Sequence, residues 1–321
     1  MSTSVRPPGG RALPRGGVAK RQEGPTPSVR PPEGRAATSS GQALARWAVG
    51  LVALLLAGCA ARYPADVDVD RSIQAVSQDS RVRFIVLHYT AGGDVASLLT
   101  LSRGNVSAHY LVTDTHPVHV YQLVPEDRNA WHAGDSSWYG HTSINNASIG
   151  IEIVNRGDTR APDGTLRWEP YPEDQIRTVM ALVRDIARRH AVLPENIVGH
   201  SDVAPQRKVD PGPLFPWRRL AAAGLGRWYD ETAAPGFQAF FEQNGVPDAA
   251  WFQAQLERAG YAVPHSAVFD AETTRVIAAF QMHYRPGRCD GVADAETAGI
   301  LLALPGRTEA PVPAAGAAAG D

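Results

Sequence analysis

Apolar residues in this chain keep three different spacings, and each predicts a different kind of element. Residues 81–90, RVRFIVLHYT, form a short β-rich apolar run, as expected of a buried strand. AHYLVTD (108–114) and VHVYQLVP (118–125) predict two more strands, joined near His116-Pro117. SIGIEIVN (148–155) alternates and is rich in Ile, and NIVGHS (196–201) predicts a fifth strand. Between the last two, Ile176, Val179, Met180, Val183, Ile186 and Ala187 recur at helical spacing. Glu173 and Asp174 open that helix, and Arg188, Arg189 and His190 close it, which suits its macrodipole. Strands interleaved with helices predict an α/β domain over residues 81–232, a mixed central sheet flanked by helices. After Ala233-Ala234-Pro235-Gly236 the pattern becomes short helices, predicting a small helical bundle over 237–304. Asp270 and Asp294 each begin a DAET that can cap one of them.

Neither end of the chain carries such a pattern. Residues 1–42 are rich in Pro, Gly, Ser and Arg and are expected to be a disordered leader, in which SVRPPGGRA recurs as SVRPPEGRA. The Ala- and Pro-rich residues 305–321 are expected to be a disordered tail. Residues 43–59, ALARWAVGLVALLLAGC, place Arg46 before an apolar run from Trp47 to Ala57. The run is too short to span a bilayer but suits a signal-peptide core. It ends in Leu56-Ala57-Gly58-Cys59, which resembles the bacterial lipobox. That resemblance implies lipidation of Cys59, followed by a linker over 60–80. It also implies an anchor in the outer membrane of a Gram-negative cell, facing the periplasm, because Ala60 stands where an Asp would signal inner-membrane retention.

Charge agrees with export. Net charge is −2, but residues 1–58 carry +6 and the remainder −8. A basic leader on a mildly acidic body gives no reason to expect nucleic-acid binding. The two cysteines, Cys59 and Cys289, are too few for a disulfide framework or a Cys-based zinc site. Any metal must be held by His and carboxylate.

Candidate chemistry sits where predicted strands end. His88 and His200 each close one, and Asp210 lies in a Pro-rich turn, VDPGPLFPW, ten residues after His200. Two His and one carboxylate would leave a fourth tetrahedral position open, as a catalytic zinc requires. With ten His in the chain this trio alone is weak, since a strand-end His is more often structural.

Five segments in order, FIVLHYTAGG, VSAHYLV, QLVPEDRNAWHAG, SIGIEIVN and GHSDVAPQRKVDPGPLFPW, resemble the zinc-dependent N-acetylmuramoyl-L-alanine amidases of the type-2 family. Their fold is shared with peptidoglycan recognition proteins, and the likeness is greatest to the outer-membrane lipoprotein subgroup with a C-terminal peptidoglycan-binding-like domain. The resemblance implies hydrolysis of the amide between N-acetylmuramic acid and L-alanine in peptidoglycan or muropeptides. It implies one zinc per chain on His88, His200 and Asp210, with Glu152 as catalytic acid–base and Lys208 as oxyanion donor. Substrate contact by His109, Trp131 and His132 is a weaker expectation; a buried hydrogen-bonded His serves equally well for His109. The helical domain departs from the usual pattern at Ala293-Asp294, where Gly-Pro often follows the DGV turn, so glycan binding there is left open. A monomer with no nucleic-acid partner is expected. The alternative, a non-catalytic peptidoglycan receptor or tether on the same fold, would usually lack a ligand or the acid, and all five residues are present. A peptidase cutting within the stem peptide would call for a motif such as HExxH, which does not occur.

Overall fold

The protein is described by a computed structural model covering residues 67–164 and 166–307. Cys59, the leader, the apolar run and most of the tail lie outside the described residues. Among the described residues no helix is long and apolar enough to cross a membrane.

The central sheet has five strands. They are β1 (Phe84–Tyr89), β2 (Tyr110–Val112), β3 (Val120–Gln122), β6 (Ser148–Ile153) and β9 (Ile197–Gly199), in the order β3-β2-β6-β1-β9. β1 runs parallel to β6 and β9, β2 runs parallel to β6, and β3 is an antiparallel edge. A largely parallel sheet must be covered on both faces. The alternation of β1 shows how. Ile85 and Leu87 face a core shared with Ile149, Ile151 and Ile153 and with Ile176, Val179, Val183 and Ile186 of α2 (Glu173–His190). Phe84 and Val86 face the opposite way, into a core shared with Phe252, Leu256, Tyr261, Ile277 and Phe280. Those residues belong to the C-terminal helices or, for Tyr261, directly follow one, so residues from the sheet and the C-terminal region share one apolar core. The sheet's second layer is therefore supplied by the last third of the chain. Residues 75–321 accordingly form one unit.

The C-terminal layer consists of α5 (Ala234–Asn244), α6 (Ala249–Ala259), α7 (Ala271–Tyr284) and α8 (Ala295–Ala303). Asp270 and Asp294 do cap α7 and α8, accepting from the backbone N–H of Thr273 and Thr297. Elements beyond those expected include α1 (Asp94–Arg103) and two small hairpins, β4 (Ser137–Trp138) with β5 (His141–Thr142), and β7 (Asp158–Arg160) with β8 (Leu166–Trp168). Two short helices complete the order. α3 (His200–Val203) follows directly on β9, so His200 opens a helical turn at the strand's end, and α4 is Trp217–Ala222.

Candidate metal centre and active-site cleft

The parallel strands β1 and β6 end side by side, with His88 and Glu152 in register. β9 ends one residue before His200. The Pro-rich turn brings Asp210 back to this edge, where its carbonyl accepts from the Ser201 N–H at 2.8 Å. All three ligand candidates are buried. Their atoms converge: His88 Nδ1 is 2.9 Å from His200 Nδ1 and 3.0 Å from Asp210 Oδ2, and His200 Nδ1 is 3.1 Å from that oxygen. A tetrahedral zinc with bonds of about 2.0–2.1 Å sets its ligand atoms about 3.3 Å apart. The triangle is close to that size.

The far side of each imidazole supports the same assignment. His200 Nε2 donates to the Ala133 carbonyl at 3.2 Å, which leaves Nδ1 with a bare lone pair. His88 Nε2 lies 3.0 Å from His132 Nδ1, and His132 Nε2 lies 3.1 Å from Ser148 Oγ. Read as a relay of donors, His88 to His132 to Ser148, this chain leaves His88 Nδ1 bare too. Two lone pairs and a carboxylate facing one another at about 3 Å repel unless a proton or cation lies between them. Burial, then the charge on His200, pushes His88 down to about 4, so the imidazole is neutral and ligand-competent at pH 7. Burial works to raise Asp210, but the two imidazoles that face it outweigh burial and keep it anionic.

Glu152 is different. Burial, reinforced by the Asp210 charge and opposed by Lys208, lifts its carboxyl well above the usual range. Its Oε2 is buried without a hydrogen-bond partner, and the side chain lines the cleft. An unpaired carboxyl that burial makes easier to protonate, beside an anionic group, is suited to moving a proton. The cleft has a volume of about 530 Å³ and is also lined by Tyr89, Trp131, His132, Arg207 and Lys208.

The structure thus brings His88, His200, Asp210, Glu152 and Lys208 to one cleft. Among the remaining candidates, Trp131 is 65 % exposed on the cleft wall. His132 reaches the cleft, but its ring nitrogens are directed at His88 and Ser148. His109 does not line the cleft; its Nδ1 accepts from the Gly150 N–H and its Nε2 donates to the Arg128 carbonyl. The structure places a buried, hydrogen-bonded histidine there. Two supporting residues carried no signal in the sequence. Gly150 seats His132, because a Cβ there would stand 2.4 Å from the ring. Arg207 binds the carbonyls of Ala133 and Asp135, fixing the loop that receives His200 Nε2.

Comparison with known proteins agrees with this geometry. The family model for N-acetylmuramoyl-L-alanine amidase matches residues 78–213, and a model for a peptidoglycan binding domain matches residues 245–301. The N-acetylmuramoyl-L-alanine amidase AmiD of Escherichia coli is 43% identical over 267 residues, covering 80% of this chain and 96% of that protein. The 1,6-anhydro-N-acetylmuramyl-L-alanine amidase AmpD of Enterobacter cloacae is 41% identical over 32% of this chain and 50% of its own. Among solved structures, AmpDh3 from Pseudomonas aeruginosa in complex with anhydromuramic pentapeptide superposes with a TM-score of 0.68 at 40% identity, covering 75% of this chain and 98% of that one. AmiD from E. coli, in complex with anhydro-N-acetylmuramic acid-L-Ala-D-gamma-Glu-L-Lys, gives 0.68 at 41% identity over 75% and 95%. With the site, the fold and a relative matched over nearly its whole length in agreement, the chain belongs to the family of N-acetylmuramoyl-L-alanine amidases, hydrolases of the amide between N-acetylmuramic acid and L-alanine.

Proposed function

We propose that this amidase is a zinc enzyme acting on muropeptides, including those ending in anhydro-N-acetylmuramic acid, from a lipid anchor on the periplasmic face of the outer membrane. The observation that carries the zinc assignment is the convergence of His88 Nδ1, His200 Nδ1 and Asp210 Oδ2 within 3.1 Å of one another. Zinc at that point supplies a Lewis acid that polarises a carbonyl and acidifies water. The chain's own residues do the rest. Glu152 takes the proton of the attacking water at its unpaired carboxyl oxygen and returns it to the nitrogen of L-alanine as the C–N bond breaks. Lys208 donates to the oxygen of the scissile carbonyl as charge develops there. Trp131 offers an aromatic face to sugar or peptide on the cleft wall. The ligands bound in the solved AmpDh3 and AmiD complexes support counting anhydro-muropeptides among the substrates.

The purified protein is expected to contain about one zinc per chain by elemental mass spectrometry. Chelation is expected to abolish release of stem peptide from muropeptides, and added zinc to restore it. A chelator-treated, metal-free protein with undiminished turnover would overturn the assignment. The anchor rests on Trp47 to Ala57 and the following Leu56-Ala57-Gly58-Cys59. Labelled palmitate is expected in the wild-type membrane fraction and not in Cys59→Ser, which should turn up in the soluble fraction. Labelling that survives this substitution would place the anchor elsewhere. The acidic body and the enclosed cleft give no basis for nucleic-acid binding, and a monomer is proposed.

A further inference from the structure

Asp202 lies two residues beyond His200, is fully buried, and does not line the cleft. It sits behind the metal-binding turn. Its Oδ2 accepts from the Gly199 N–H at 2.7 Å, closing the first turn of α3, the turn that starts with His200. A buried carboxylate needs further donors. Among the described residues its donor within the catalytic region is that backbone N–H, and two more come from the C-terminal region. The Tyr261 hydroxyl donates to Oδ1 at 2.6 Å, and His283 Nδ1 donates to Oδ2 at 2.8 Å. Both partners are themselves buried. His283 also stacks on Trp217, with ring centroids 4.0 Å apart and planes 12° from parallel. Trp217 ends the turn that carries Asp210. One residue of α7 therefore touches the supports of two of the three ligand candidates.

We propose that Tyr261 and His283 are positioning residues for the metal centre: from the C-terminal region they hold Asp202, and through it the turn that presents His200. The region matched by a peptidoglycan-binding family is then part of the catalytic scaffold, whatever glycan it binds. The physical reason is local. Gly199 and His200 stand at a strand–helix junction, where the first N–H groups of the helix have no partner within it. Asp202 supplies the cap, and a cap carboxylate free to rotate would let His200 Nδ1 drift off the geometry that metal binding requires. Groups that orient ligands in this way typically change metal affinity about 10- to 100-fold when removed.

The inference rests on the metal assignment above, and the experiment separates the two. Zinc affinity of the full chain is measured by competition with a chromogenic chelator, alongside kcat and KM on a muropeptide, below the melting temperature of each variant. Tyr261→Phe and His283→Phe keep the rings and remove the donors; each is expected to weaken zinc binding about tenfold or more and to lower kcat at near-constant KM. His283→Asn, whose amide nitrogen can take the place of Nδ1, is expected to recover much of the affinity. Arg275→Ala removes a different contact between the regions, Arg275 Nε to Gln206 Oε1 at 2.7 Å, and is expected to leave zinc affinity unchanged. Wild-type affinity in both Phe variants would overturn the proposal. So would an equal loss in Arg275→Ala, which would mean that docking in general, not the Asp202 cap, matters. A wild-type chain that binds no zinc would instead overturn the metal assignment itself.

Discussion

Two clusters of ionisable side chains lie near the sheet, and they are built on opposite terms. One joins Glu126, Arg189, His190 and Tyr110. Arg189 reaches both Glu126 oxygens, Tyr110 donates at 2.5 Å, and His190 Nε2 lies 2.8 Å away. Hydrogen bonding from Arg189 is the main reason the Glu126 carboxyl is drawn down to about 2. The other is the cleft, where burial dominates, Glu152 is pushed up and Oε2 has no partner. Every group in the first cluster is satisfied by another. In the second, acceptor atoms converge on one point and a carboxyl oxygen has no hydrogen-bond partner within the protein. A charge cluster that closes on itself is architecture; one that leaves valence open is chemistry, and is retained at a cost in stability.

Substitutions in the two clusters should separate rate from stability. The largest effect is expected from Glu152→Ala, which should lower kcat about 10²- to 10⁴-fold in a muropeptide assay. Its melting temperature should be unchanged or higher, because a buried unpaired carboxyl is removed. Retention of full activity would end the acid–base role. Next is Glu126→Ala, expected to cost roughly 1–2 kcal/mol in a denaturant titration by removing the acceptor of Tyr110 and one of the two carboxylates on Arg189, which keeps Asp185. Its kcat should stay within about twofold of wild type; a large kcat loss at normal stability would mean that the clusters are coupled.

The smallest expected effect is in the acid dependence of stability, which should resolve the two. In metal-free protein the folded His88 titrates at about 4, below its ordinary value of 6.5. Between those values the unfolded chain binds a proton that the folded chain refuses, so stability falls as pH drops through that window. Glu126 falls from an ordinary 4.5 to about 2 on folding, so its contribution is lost lower, as pH drops from 4.5 towards 2. Glu126→Ala should shrink the lower step, to which Asp210 also contributes, and leave the upper one, against which bound zinc should protect until the ligands protonate. A single acid step insensitive to both changes would contradict the assignment.

How much of this was legible in the sequence depended on how locally each feature is determined. The five strands of the sheet, the helix over 173–190 and the caps at Asp270 and Asp294 follow from short-range pattern and capping chemistry. The edge strand β3 is shorter than its run predicts, with all three residues exposed, because one partner and no apolar cover leave little to hold its ends. The 158–168 hairpin was missed because its mostly polar, exposed strands have no buried face to produce alternation, and the 137–142 hairpin because its strands are two residues long, too short for the buried Trp138 to make a pattern. α1 was missed because its apolar residues are divided, Leu101 buried but Val95 and Leu99 exposed.

At the site, His88, His200 and Asp210 stood out in the sequence only as a weak trio at strand ends and a rigid turn, and Glu152 and Lys208 were singled out only through the resemblance of the surrounding segments to the amidase family. Their meeting in one cleft is a property of the fold. The sequence by itself determined which residues could ligate and which strand ends would carry them, since strand ends and turns are written within a few residues of one another. Only the tertiary structure decided that His132 would back His88, that His109 would turn to the backbone, and that Tyr261 and His283 would reach Asp202 from 59 and 81 residues away. Those roles depend on which surfaces pack together. A parallel sheet with two apolar faces needs a second layer, and in this protein that layer brings its own hydrogen-bond donors to the back of the metal site.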